Sequence, residues 1–253
     1  MTIEKEIGKI ITDSVRSLNR SDLFRAPIVA FSSADDERYS ELKTLIGEWH
    51  LLPTELLSSA KSAISYFVPF TKEVAYEPKT TQGSSYLWSE AYQEINKHFD
   101  TVNEDIAQFL ANKGHESQTI RATHTYSQED LKSMWSHRSA AVIAGLGTFG
   151  INKMVITEKG SGGRFCTVIT SALLETNKKP AESQCLYIKS GACGLCLKTC
   201  PVGAIKVDTI DKFVCQDELN KNQALMRGMV GLKIADTDTC GKCISVCPVG
   251  YLE

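Results

Sequence analysis

The sequence predicts a mixed α/β (α+β) protein, residues 1–178, followed by a small cysteine-rich region, residues 179–253. Three observations predict it: apolar residues recur at helical and strand spacings through the first part, all nine cysteines lie in the second half of the chain, and two stretches of that half repeat each other. The 253 residues are 42% hydrophobic and 23% charged, the balance of a chain with a sizeable core.

The elements follow in order. Ile3, Ile7, Ile11, Val15 and Leu18 recur every three or four residues and predict an opening amphipathic helix. Pro27 to Phe31 reads as a short strand. A helix start near Pro53 and Thr54 precedes a β-rich run from Ile64 to Val68, closed by Pro69. Residues 71–85 are polar, with Pro78 and Gly83 as breakers, and predict a surface loop. Ile95, Phe99, Val102, Ile106 and Phe109 then give a long helix ending near Gly114. Gln118 to Ala122 reads as a strand, and Ser127 to Asp130 has capping-box spacing for a helix through Met134 and Trp135. Lys153 to Thr157 and Phe165 to Thr170 are β-rich runs joined by a glycine-rich loop, which predicts a hairpin. At Lys178-Lys179-Pro180 the composition changes, and the boundary is placed there.

Twenty-eight Lys and Arg against thirty Asp and Glu leave a net charge of −2, without the basic excess of a typical nucleic-acid binder. The longest apolar candidate, Ala140 to Ile151, is interrupted by three glycines and falls short of the ~20 residues that span a bilayer. The amino terminus lacks the apolar centre of an export signal, so a cytoplasmic, reducing compartment is expected. There, cysteines suggest metal binding rather than disulfides.

The repeat is Cys193-Gly-Leu-Cys196-Leu-Lys-Thr-Cys200-Pro-Val-Gly against Cys240-Gly-Lys-Cys243-Ile-Ser-Val-Cys247-Pro-Val-Gly. A [4Fe-4S] cube needs four thiolates, and in two-cluster ferredoxins the cysteine before proline ligates the other cluster. The further cysteine of the usual ferredoxin run is replaced here by Ser190 and Thr237, and Cys185 and Cys215 are the spare thiols that make up the deficit. Sequence order gives one set of Cys185, Cys193, Cys196 and Cys247 and another of Cys200, Cys215, Cys240 and Cys243. The exchange of Cys185 and Cys215 between sets stays open, as does a pair of four-cysteine zinc sites. Cys166, among apolar neighbours, reads as a buried small hydrophobe.

A two-cluster ferredoxin needs far less chain, so the first part must serve another end. Its informative stretch runs from His137 through Ala144-Gly145-Leu146-Gly147-Thr-Phe-Gly150 to Thr157. The glycines permit close backbone approach to a bulky ligand, but the run follows a helix rather than a strand, which argues against a dinucleotide fingerprint. Trp49, Trp88, Trp135, Tyr86 and Tyr92 read as core or as pocket lining.

Three features together, LLSSAKSAISYFVP near residue 60, AGLGTFGINKMVIT with Gly-Ser-Gly-Gly-Arg after it, and the double cluster motif, resemble the epoxyqueuosine reductases and the corrinoid reductive dehalogenases. The resemblance spans roughly residues 50–250. It implies a nitroreductase-like, cobalamin-binding domain followed by a ferredoxin-like domain with two [4Fe-4S] clusters. The activity implied is that of an oxidoreductase, in which cluster electrons reach a base-off corrinoid that drives a reductive reaction. By carry-over, Gly145, Leu146, Gly147 and Lys153 are candidate corrinoid contacts, with Ser161, Gly162 and Gly163 behind them. Asp130 and His137 are candidate catalytic proton donors, with Glu129 beside them; Asp130 stands one position from the family's acidic residue, and no proline follows it. A reduced ferredoxin or flavodoxin-type donor would supply electrons, and the substrate would be a small molecule or modified nucleoside. Many members continue into a helical-repeat region that helps hold transfer RNA; the sequence here ends at Glu253, which with the net charge leaves transfer RNA open as a substrate. Two other readings stand beside this one: an electron-transfer protein that reduces a corrinoid on a partner, and a protein using flavin or no further cofactor.

Overall fold

A computed structural model describes the chain except for residues 84, 122–125, 128, 179, 181 and 229–236. Helix α1 (Ile3–Ser17) leads to strand β1 (Ile28–Ser33), helices α2 (Glu37–Leu45) and α3 (Pro53–Leu56), and strand β2 (Ser62–Pro69). Then come α4 (Lys72–Thr80), α5 (Tyr86–Asn112), β3 (Ser117–Thr119), α6 (His137–Ile143), β4 (Gly147–Phe149), β5 (Val155–Thr157) and β6 (Gly163–Thr170). Four helices follow among the cysteines: α7 (Leu186–Ser190), α8 (Leu195–Thr199), α9 (Lys212–Gly228) and α10 (Lys242–Ser245).

Period-two alternation on doubly buried strands organises the molecule. Strands β1-β2-β6-β3 form one sheet, antiparallel at every junction. On β2, Ile64, Tyr66 and Val68 point toward α1 and α5, where they meet Ile7, Ile11, Ile95, Phe99 and Val102. Ala63 and Phe67 point the other way and pack with Ala140 and Ala141 of α6. Strand β6 alternates likewise, Cys166 and Val168 on the first face, Phe165 and Ile169 on the second. Two covered faces explain why these strands read as nearly continuous apolar runs. Within the first layer Tyr66 donates to Asn103 Oδ1 at 2.8 Å, and Asn103 Nδ2 meets the sulfur of Cys166 at 3.4 Å, so the thiol is a fully buried packing atom.

Several expectations are corrected. Residues 71–85 hold a helix, α4, whose Val74, Ala75 and Pro78 are buried; Pro78 sits near its end, where a missing N–H costs one bond rather than the helix. Helix α5 begins at Tyr86, well before Ile95, because Ser85 caps it by accepting from the Trp88 N–H. The helix through Met134 and Trp135 does not form. Instead Ser127 N–H and Leu131 N–H bond to the carbonyls of Lys132 and Ser127, a bridge joins Tyr126 to Ser133, and Leu131 takes φ +53°. Gln128 of that expected cap lies outside the described residues, as does Ala122 at the end of the strand expected over 118–122. The hairpin is also replaced: β5 pairs with β4, and β6 with β2 and β3. A three-residue β5 leaves most of β6 uncovered, whereas β2 matches all eight residues of it. Helix α2 carried no signal that was read. Lys179, at the expected boundary, lies outside the described residues.

The cysteine-bearing segment returns to the first part at many points. Gly160 bridges Tyr251, and Ser161 and Gly162 N–H both donate to Gly250 O. Arg25 donates to Leu252 O and Lys159 O, with its guanidinium 4.4 Å from the centre of the Tyr251 ring. Lys242 Nζ donates to Pro78 O and Thr81 O, satisfying carbonyls that the end of α4 leaves open. Among the described residues no helix is long and apolar enough to cross a membrane.

The buried Tyr66–Asn103 bond yields a test of the core. Tyr66→Phe leaves the Asn103 oxygen poorly satisfied and is expected to cost about 1–3 kcal/mol in urea unfolding, with the fold unchanged by circular dichroism.

Candidate functional site

Each repeat begins as Cys-Gly-x-Cys, and the glycine does the same work in both. Gly194 and Gly241 adopt φ +114° and +74° and turn the chain into α8 and α10, so that the second cysteine is carried on a short helix. Cys200 closes α8, Cys247 follows α10, Cys185 precedes α7, and Cys215 lies in α9.

Cys185, Cys193, Cys196 and Cys247 line one cavity, open on one side. Its other walls are Ile151, Asn152, Ile156, Leu186, Tyr187, Leu195 and Val249, with Gly194 and Pro248, and none carries a charge. Burial pushes the Cys247 thiol up to about 11, and the nearness of Cys196, Cys185 and Cys193 adds to the shift. Cys215, Cys240 and Cys243 are raised too, with burial the largest cause for each. The Cys215 thiol is pushed up to about 11 by burial and by Cys240 and Cys200, and Cys243 far higher by burial and by Cys240, Cys215, Cys196 and Cys200. Cys243 therefore stands on the side of its set nearest the cavity. A thiol loses its proton when it ligates a metal, which offsets these shifts.

Four cysteines of the first set face one uncharged space, which suits a group held by four thiolates. Among the described residues no three or more His, Cys, Asp or Glu side chains converge on the point of a single metal ion.

The two parts of the chain meet at a sharp corner. Lys153 holds φ +59°, strained for a residue with a side chain. Beside it, Asn152 Nδ2 donates to Cys243 O at 3.2 Å, and Lys153 O accepts from Arg138 Nη1 at 3.0 Å. Lys153 Nζ itself reaches Val207 O at 3.5 Å. Arg138 also lies 3.5 Å from Met154 Sδ and has no acidic partner among the described residues. Solvent reaches its guanidinium, yet surrounding protein lowers its pKa, as does Arg164. Arg164 is stacked 4.3 Å from the centre of the Tyr92 ring and donates to Asn96 Oδ1. Arg138, Asn152 and Arg164 were not legible as site residues; their only signal is position next to the His137 and Asn-Lys stretches.

The candidate proton donors are differently placed. His137 hangs its ring between Thr167 Oγ1 and Arg121 O, each at 3.0 Å. The carbonyl fixes the proton on Nε2, so Nδ1 accepts from the threonine. Burial lowers its pKa to about 4, and His137 is neutral near pH 7. Asp130 lies in the 127–132 turn beside Lys132, 3.3 Å away; partial burial raises its pKa, but bonds from Ser127 and Lys132 outweigh this and hold the carboxyl below its ordinary value. Glu129 is exposed. Neither His137 nor Asp130 holds a transferable proton near neutral pH as placed here.

The candidate corrinoid contacts have internal work. Gly145 turns the chain at φ +91° after α6, and Leu146 is buried with Ala141 and Ala144. A Cβ on Gly147 would lie 2.2 Å from Ile156 O. Ser161 is buried with an unpartnered hydroxyl. Gly162 and Gly163 pack against Ala75 and Val68. Of the aromatic residues, Trp88, Trp135 and Tyr92 are buried, and Trp49 and Tyr86 are more than a third exposed.

No protein-family model and no curated protein sequence matches the chain. Solved structures do. The epoxyqueuosine reductase of Streptococcus thermophilus matches at TM-score 0.55 and 19% identity over 99% of this chain and 66% of that one. An epoxyqueuosine reductase solved with an epoxyqueuosine-modified transfer RNA stem loop matches at 0.55 and 20%, over 96% and 66%. A catabolic reductive dehalogenase in complex with 3-bromo-4-hydroxybenzoic acid matches at 0.60 and 15%, over 88% and 30%. The chain thus has the fold of these reductases, spanning just under two thirds of the first and less than a third of the dehalogenase.

Two outcomes follow. Gly147→Ala is expected to lower stability by about 1–3 kcal/mol in the cofactor-free protein, because the clash is with its own backbone. The depressed His137 pKa means that the unfolded state binds a proton more readily, so its contribution is full above about pH 6.5 and is lost as pH falls toward 4. In His137→Gln, urea midpoints measured from pH 7 to pH 4.5 should decline less steeply than in the parent chain, by up to ~3 kcal/mol across that window; a parallel decline would show that the histidine does not titrate as placed.

Proposed function

We propose that the chain is an iron–sulfur reductase that carries two [4Fe-4S] clusters and delivers their electrons to a corrinoid. The observation that carries the reading is the gathering of Cys247 with Cys185, Cys193 and Cys196 around one uncharged cavity, a ligand crossing from one repeat to the other. Cys200, Cys215, Cys240 and Cys243 are the ligands of the second cluster. The resemblance in fold to epoxyqueuosine reductases and corrinoid dehalogenases supports the corrinoid and the reductive reaction.

A bound corrinoid supplies a low-valent cobalt nucleophile, and the protein supplies binding, orientation and electrons. Lys153 and the stretch from Gly145 to Gly147, with Ser161 behind them, are the residues that would hold it. The proton for the reaction comes from water or from the substrate, since His137 and Asp130 are held in unreactive states. The same fact favours a second reading, an electron-transfer protein that reduces a corrinoid on a partner without a substrate of its own. The electron donor is a small reduced carrier of ferredoxin or flavodoxin type, working in the cytoplasm, and the substrate a small molecule or modified nucleoside, with transfer RNA the larger form of the latter. Residues 1–178 serve as the cofactor-binding domain and 179–253 as the cluster domain.

Anaerobic reconstitution is expected to load about eight irons per chain, and Cys193→Ala about half of that. Zinc in place of iron, or full iron in the variant, would overturn the cluster reading. Titration of the loaded protein with hydroxocobalamin, then desalting, should retain one cobalt per chain; iron without cobalt selects the electron-transfer reading, and released yellow flavin a flavin enzyme.

A further inference from the structure

The two thiol sets sit in electrically different surroundings. Around Cys185, Cys193, Cys196 and Cys247 the cavity wall is apolar or neutral throughout. Near the other set stand two cations. Arg138 influences Cys215 and Cys243, and Lys242, pinned to Pro78 O and Thr81 O, influences Cys240. One anion, Glu218, opposes them at Cys215 and Cys240. The position of Arg138 is fixed through backbone: its Nη1 bonds to Lys153 O, and the adjoining Asn152 bonds to Cys243 O. No carboxylate among the described residues neutralises it.

A four-thiolate cluster gains negative charge on reduction, so a nearby cation favours the reduced form and an apolar wall disfavours it. We propose that Arg138 fixes the direction of electron flow, its charge making the Cys200, Cys215, Cys240, Cys243 cluster the more easily reduced of the pair. One electron then leaves the cluster in the open cavity, which is oxidised by one, and enters the inner cluster, which is reduced by one; no bond is made or broken and no proton moves. Arg138 touches no reacting atom and acts by charge alone. The inference rests on the two-cluster reading of the thiols.

The test is a potentiometric titration followed by electron paramagnetic resonance on reconstituted parent protein, Arg138→Gln and Arg138→Lys, with iron and sulfide measured in each. The parent should show two midpoints. In Arg138→Gln, at full iron content, the higher midpoint should fall toward the lower, which itself stays in place, and Arg138→Lys should restore the separation. Two unmoved midpoints, or two that move together, would overturn the proposal, as would a fall that lysine fails to restore, which would assign the effect to the lost hydrogen bond at Lys153 O. If Arg138→Gln fails to load, Arg138→Lys decides the matter by keeping or losing the separation. A parent chain that takes up no iron overturns the cluster reading itself, a result separate from any pattern of midpoints.

Discussion

The cysteine-bearing segment depends on its docking against the sheet's loops. Few of its own side chains are buried, chiefly Cys185, Cys196, Ala204, Ile205, Met226 and Ile244, and α7, α8 and α10 are too short to be stable alone. Docking replaces the missing interior. Backbone pairing at Gly160 and Gly250, the Ser89–Thr239 hydroxyl pair and Lys242 on the end of α4 fix the segment from several directions. The grouping of Cys185, Cys193, Cys196 and Cys247 around one cavity, walled in part by Ile151, Asn152 and Ile156 of the first part, is a consequence of that docking.

The same docking explains what could be read in advance. Local chemistry was legible: the opening helix, the doubly buried strands and the Cys-Gly-x-Cys turns all follow from spacing and side-chain type. The structure brings Cys247 to the cavity that Cys185, Cys193 and Cys196 line, the grouping that the proline after each repeat suggests. Partner choice among short strands was not legible. Three residues at Val155–Thr157 carry no mark of whether they pair with β4 or β6, and the answer lies in β2, more than eighty residues upstream, which already occupies β6 along its length. The 127–135 turn was misread for a related reason. A capping box and a following apolar pair look alike in a helix and in a bridged turn, and the left-handed Leu131 has no sequence signature of its own.

The glycine run before β4 illustrates how one signal serves two explanations. Close backbone approach was read correctly, but the approaching backbone at Gly147 is that of Ile156 rather than of a ligand. Candidates drawn from resemblance alone, Asp130 and His137, likewise prove to be well-bonded parts of the structure. The bond from Asn152 to Cys243 O, which joins the two halves, became visible only once the corner at Lys153 was in place.

The crossing of Cys247 also has a consequence for biogenesis. The first cavity receives its fourth thiol from a residue 62 positions beyond Cys185, across α7, α8, α9 and α10. No growing chain can complete that cage until the second repeat has left the ribosome, by which time the sheet that supports it is fully synthesised. On the proposed cluster reading, this cage is completed only once the second repeat is available. The two cages are tied into one assembly unit, since neither repeat alone has the thiols to hold a cube.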